Sequence, residues 1–241
     1  MNNSSLRQSL RLSATLLLLG QLLYIVITLL HTGGEANNHP AIFAAYAASG
    51  SWVVDHIGQF GAMALMLAGL LALFFALDVE DSTARWTGRF GAAAAIAAWA
   101  LYGALQAVDG VANQLADAAW VRAPEAEKAA RFASAEVVRW IEWGMRSYQA
   151  FTLGLALLLF AVAVIRTAWI PRPIAVLIGL AGLAFLWQGW VVGTEGFSPM
   201  MSNAIVLAEV LDVVWMSWLA VIAWRTPLAG FRRPADEANA R

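Results

Sequence analysis

Long apolar runs, interrupted by short polar ones, divide the chain into six segments of membrane-crossing length. They are 13–30 ("SATLLLLGQLLYIVITLL"), 57–77, 90–108, 148–165, 174–192 and 204–224. A helix of ~20 apolar residues crosses a ~30 Å hydrocarbon core. Backbone groups must be paired within each segment in lipid, so these runs are expected to be helical. The period-2 alternation of a transmembrane barrel is missing. The pattern predicts an all-α integral membrane bundle of six transmembrane helices, with a single domain over 1–228 and a disordered cytoplasmic tail over 229–241. The first run follows Arg7 and Arg11 but ends in "LLHTGG", without a small-x-small cleavage site, and reads as a retained span. Within the long 110–147 connection, Pro124 and the acids after it mark a helix start that runs on into the fourth span.

Within the spans the polar residues recur every three or four positions, the spacing that shares a helix face. The first span carries Gln21, Tyr24, Thr28 and His31, and the second opens with Asp55, His56 and Gln59. The third carries Tyr102, Gln106, Asp109 and Asn113, and the fourth Arg139, Glu142, Arg146 and Gln149. Gln188 and Glu195 follow in the fifth, Glu209 and Asp212 in the sixth. Nearly all fall in the half of each span away from the termini. The expected result is a polar pocket open on that side and closed below by an apolar plug. A short similarity between "GGEAN" (33–37), "DGVAN" (109–113) and "TEG" (194–196) suggests three helical hairpins turned the same way.

Composition agrees with a membrane protein. The chain is 61% hydrophobic and 13% charged, against ~45–50% and ~25% in soluble domains. Ten of the fifteen Lys and Arg residues lie on the side of the termini: Arg7, Arg11, Arg85, Arg89, Arg166, Arg172, Arg225, Arg232, Arg233 and Arg241. The positive-inside rule then places both termini in the cytoplasm of a cell whose plasma (inner) membrane holds the protein. The net charge of −1 and the lack of a basic patch give no reason to expect a nucleic-acid partner. The expected partners are the lipid bilayer and a small-molecule ligand.

With no cysteine in the chain, thiolate chemistry and disulfides are excluded. All three histidines, His31, His39 and His56, fall within 31–56. Imidazole with carboxylate suits a divalent metal such as zinc, iron or manganese. His56, Glu142 and Glu209 are the leading metal candidates, and Asp55, Asp109, Asp212, His31 and His39 are further ligand candidates. Gln59, Gln106, Arg139, Arg146 and Gln149 would support them. His31 and His56, at adjacent span ends, admit a second reading as axial ligands of haem b. A transporter or an accessory subunit is a third reading, in which Glu209 and Asp212 are structural ion pairs with Arg139 and Arg146. No HExxH, phosphate-binding loop or nucleophile elbow occurs.

The stretch "HTGGEANNHPAIFAAYAASGSWVVDHIGQF", with His31, Gly33, Asn37, His39, Pro40, Trp52, His56 and Gln59, resembles the first hairpin of six-span bacterial polytopic membrane proteins of unknown function. The resemblance covers about residues 20–77. It implies the fold class and carries no activity or catalytic residue.

Overall fold

The structure, a computed structural model, describes residues 3–35, 37–77, 82–167 and 169–225. Among these there are eight α-helices and one π-helical turn. They are α1 (Asn3–Leu30), α2 (His39–Ala48), α3 (Trp52–Leu77), α4 (Ser82–Ala107), the π-turn (Val108–Asn113), α5 (Gln114–Val121), α6 (Glu125–Ile165), α7 (Arg172–Glu195) and α8 (Pro199–Arg225). Six segments are long and apolar enough to span: α1, α3, α4 with its continuation to Val121, α6, α7 and α8. The chain is a multi-pass, all-α membrane protein. The tail expected over 229–241, and the boundary at 228, lie outside the described residues.

The six spanning helices close into a ring in the order α1–α3–α4–α6–α7–α8, with α8 returning to α1. Their outward faces are apolar, as lipid contact requires: Leu19, Val26, Ile96, Leu183, Val210 and Val221 are all exposed. Their inward faces carry the polar stripes read from the sequence. The half nearest the termini is a dry plug, where Leu10, Leu73, Phe160, Ile178 and Leu219 pack with little or no exposure.

Lipid tails are as apolar as leucine, so close backbone approach at small residues must hold such a ring together. At the α6–α7 seam a Cβ added to Gly154 would lie 2.7 Å from the Gly182 carbonyl oxygen, and one added to Gly182 2.9 Å from that of Gly154. Two turns higher, Ser147 Oγ donates to the Gly189 carbonyl at 2.7 Å. Gly20 plays the same part between α1 and α3, where a Cβ would lie 2.7 Å from the Ala62 oxygen.

Two features depart from the sequence reading. The 31–51 connection is not all loop: His39–Ala48 is helix α2, capped by Asn38, whose side chain accepts from the Ala41 N–H, with Pro40 in the first turn. It lies against α5, and Ile42, Phe43 and Tyr46 form a buried cluster with Trp52 and Ala135. Among the described residues the three "repeat" segments have different backbones: 33–35 are coil after α1, 109–113 lie in the π-turn after α4, and 194–195 end α7. The helix expected to start at Pro124 and run into the fourth span is present: α6 is a single helix of 41 residues with Pro124 at its N-cap, about 61 Å at ~1.5 Å per residue. Its first half therefore extends beyond the hydrocarbon core and gives α2 and α5 a surface to pack on.

The glycine seams make a direct prediction. Gly154→Ala should lower the thermal midpoint of the purified protein, at a cost of about 1–3 kcal/mol for overpacking. Gly61, with nothing within 4 Å of an added Cβ, should accept alanine with a gain of up to ~1 kcal/mol in helix propensity. Equal effects of the two substitutions would contradict this packing.

Candidate functional site

The ring encloses a cavity of about 360 Å³, within the range of ~300–1,000 Å³ typical of small-molecule sites. It runs along α1 from His31 down to Leu17, about 21 Å of helix at ~1.5 Å per residue. Its mouth lies under α2, where Ile42 and Tyr46 form part of the wall. Its middle holds Tyr24, Arg146, Gln149, Gln188 and Glu209; its base is Leu17, Met66, Leu67, Leu70, Leu153 and Leu157. A shallower groove between the 34–38 loop and the 197–203 turn shares Gly34, Phe197 and Ser202 with the cavity.

Most of the residues expected to form the site do converge on this wall: His31, Gln59, Asp109, Arg139, Glu142, Arg146, Gln149, Glu209 and Asp212. His56, Asp55, His39 and Gln106 do not line it. Asp55 accepts from Ser51 Oγ at 2.7 Å at the start of α3, a local helix-end contact. His39 closes the top, with Nδ1 3.0 Å from Glu136 Oε1. Gln106 is buried behind the wall, with both amide atoms unpartnered.

His56 sits one layer behind His31. Its Nδ1 must be protonated, because it faces the Trp52 carbonyl oxygen at 2.7 Å, which can only accept. Its Nε2 is 3.3 Å from Asp109 Oδ2, an ionic contact without good hydrogen-bond alignment. The π-turn makes this contact possible. Gly110 leaves room for the imidazole, since a Cβ there would lie 2.7 Å from His56 Cβ. Trp52 Nε1 donates to the Asp109 backbone oxygen at 3.0 Å and secures the turn from the other side. The sequence gives no sign of a π-turn, although single extra residues of this kind often mark functional sites.

The carboxylates pair differently from the expectation. Glu142 Oε2 accepts from Arg139 Nη1 at 2.6 Å and from Asn113 Nδ2 at 2.7 Å. Glu209 accepts from Gln21 Nε2. Asp212 Oδ1 accepts from Trp215 Nε1 at 2.7 Å, a bond made within α8. Thus Glu209 and Asp212 do not pair with Arg139 and Arg146. Among the described residues, Arg146 makes no ion pair within the 4.0 Å that defines one, and its Nε is buried without a partner. Phe197 lies against it, with the guanidinium 5.7 Å from the ring centroid. Asp117 on α5, not singled out from the sequence, is buried with both carboxylate oxygens unpartnered.

Among the described residues, no group of three or more histidine and carboxylate side chains is placed to hold a metal ion. The set His56, Glu142 and Glu209 does not assemble: one faces Asp109, one Arg139 and one Gln21. For haem ligation, the rings of His31 and His56 stand edge to face, with centroids 4.9 Å apart. Both nitrogens of His56 already face protein oxygens.

Two titratable groups at the mouth lie outside the spans. Burial pushes the His31 imidazole below its ordinary value of 6.5; Asp109 opposes the shift, and His56 and Arg146 add to it. Burial raises the Tyr46 phenol to about 12, so it remains a neutral hydroxyl. No protein family, curated protein or solved structure matches the chain.

Two outcomes follow. Removing His56 leaves the buried Asp109 carboxylate with only the Asn113 Nδ2 donor, at 3.3 Å, and no cation in contact, so His56→Ala should cost up to about 3–5 kcal/mol of stability, the usual cost of breaking a buried pair; a neutral effect on thermal unfolding would contradict the pairing. Because folding lowers the His31 pKa, the unfolded chain takes up the proton more readily below pH 6.5. Stability should therefore fall as the pH drops through that value. His31→Phe should flatten this acid limb in melts recorded between neutral and mildly acidic pH.

Proposed function

We propose that this chain is a plasma-membrane protein that binds a small amphipathic molecule in the central cavity, with both termini in the cytoplasm and the cavity opening to the outside. The observation that supports it best is the gradient along the cavity. Charged and amide side chains of α1, α6 and α8 surround the upper part; leucine and methionine surround the lower part, where the one carboxylate, Asp212, one turn below Glu209, is held by Trp215. A few convergent polar groups above an apolar base describe a site for a molecule with one polar end and one apolar end. Methionine suits such a base because its unbranched, polarisable side chain adapts to different shapes. The packed plug below favours binding, or chemistry on a bound ligand, over passage through the protein. The groove by Gly34 and Phe197 is the entry route, crossed by a hydrogen bond from Asn37 Nδ2 to the Glu195 carbonyl at 3.0 Å.

The apolar base supplies the test. Each buried methylene contributes about 0.8 kcal/mol, so an octyl ligand should bind roughly a hundredfold tighter than its butyl counterpart. Leu153→Trp, which fills the base and removes no polar group, should abolish that gain. Affinity independent of chain length, or unchanged in Leu153→Trp, would contradict the reading.

Orientation can be tested separately, because the chain has no cysteine. A single cysteine at exposed Glu35 should react with a membrane-impermeant maleimide in intact cells. One at exposed Thr83 should react only after the cells are opened. The reverse pattern would invert the proposed topology.

A further inference from the structure

The cavity wall carries a specific imbalance of hydrogen-bonding groups. Three of its buried side-chain atoms have no partner: Arg139 Nε, Arg146 Nε and Gln149 Nε2. All three are N–H donors, and all three lie on α6, where positions 139, 146 and 149 share one face. Arg139 and Gln149 are themselves only 2% and 4% exposed, so bulk water does not offer the missing acceptors at those positions. The wall's carboxylates, by contrast, all have protein partners: Asp109 faces His56, Glu142 Arg139, Glu209 Gln21 and Asp212 Trp215.

An isolated cation at membrane depth is costly, by roughly 2.5–3.5 kcal/mol at a helix centre on insertion scales. Arg139 answers this cost with Glu142. Arg146 has no such contact: Asp109, Glu142 and Glu209 act on it electrostatically, but among the described residues none of them lies within ion-pair distance. Arginine is also the side chain whose planar fork matches a carboxylate or phosphate oxygen pair. Immediately below it on α6, Leu153 and Leu157 begin the apolar base.

We propose that the ligand of this cavity is an amphipathic oxyanion, a carboxylate or a singly charged phosphate ester, whose anionic end is held by Arg146 and Gln149 and whose apolar end lies against Leu153, Leu157 and Met66. This rests on the proposed binding function and adds the chemical class of the ligand. The head group is fixed by donors on one helix, and Glu209 and Asp212 on α8 are kept out of its shell by their own bonds to Gln21 and Trp215.

The test uses the full chain in lipid nanodiscs and three probes with the same tail: octanoate, octan-1-ol and octyltrimethylammonium, titrated calorimetrically near neutral pH. Octanoate should bind at least tenfold tighter than octanol, with the ammonium weakest. Arg146→Gln should erase the preference for octanoate and leave octanol binding intact, and Arg146→Lys should retain part of it. Octanol binding as tightly as octanoate would overturn the inference while leaving a small-amphiphile site in place. Preference for the ammonium would do the same, and would assign the head group to Glu209 and Asp212. A preference for octanoate that survives Arg146→Gln would overturn the role of Arg146. Binding of none of the three would remove the proposed function itself. Arg146→Gln leaves Asp109 facing His56, Glu142 on Arg139 and Glu209 on Gln21, so without ligand it should still fold and melt lower than the native protein only by the loss of a longer-range attraction. Should it fail to fold, the ranking of the three probes on the native chain still decides the ligand class.

Discussion

A polar group inside a membrane-embedded bundle must find a partner inside the protein, and the structure is organised around that requirement. Every spanning helix is apolar toward lipid, so its polar stripe has only the centre of the ring to face. There the groups pair across helices: Glu209 on α8 with Gln21 on α1, Asp109 on the π-turn with His56 on α3, Asn113 with Glu142 on α6. These pairs decide which helices are neighbours and at what height. Arg146 and its neighbours on α6, whose pairing is incomplete, border the cavity that the ring encloses.

The two halves of the bundle divide the work. Near the termini, close helix approach and a dry aliphatic core hold the ring; Arg11 Nε there donates to the Ala223 carbonyl at 3.1 Å and ties α1 to α8. On the other side the core is aromatic and polar. The overlong α6 carries a platform for α2 and α5, and the Tyr46 and Trp52 rings pack at a tilt of 43°, their centroids 4.1 Å apart. Gln114 on α5 donates to the Ser49 carbonyl at 2.9 Å, fastening the end of α2. The cover over the mouth is therefore built from helix, and among the described residues between α1 and α3 only 31–35, 37–38 and 49–51 are left as connections.

Hydrophobic periodicity made much of this legible. Six apolar runs and a polar stripe on each predicted the bundle and the plug, and most of the polar side chains on the cavity wall, though not the place of His56, Asp55, His39 or Gln106. What stayed hidden depended on facing partners. Arg139 and Arg146 are equivalent on a helical wheel, and only the position of Asn113 and Glu142 shows that one is paired and the other is not. His56 looked like the best ligand in the chain, yet it lies one layer behind the wall because the π-turn brings Asp109 to it. That turn inserts a residue into an otherwise regular helix, and periodicity has no way to register it. Helix α2 did leave a signal: Asn38 followed by His39-Pro40 is a helix start. The stretch after it, ending in "IFAAYAA", is too short to stand out beside runs of spanning length.

The most direct test of the account is to locate a ligand. A structure of the protein with 8-bromooctanoate would place the bromine by its anomalous signal and the carboxylate by its density. The account predicts bromine at the base, among Met66, Leu153 and Leu157, with the carboxylate within hydrogen-bond distance of the Arg146 guanidinium. Bromine on the lipid-facing surface, or a carboxylate at the mouth beside His39 with no contact to Arg146, would contradict it.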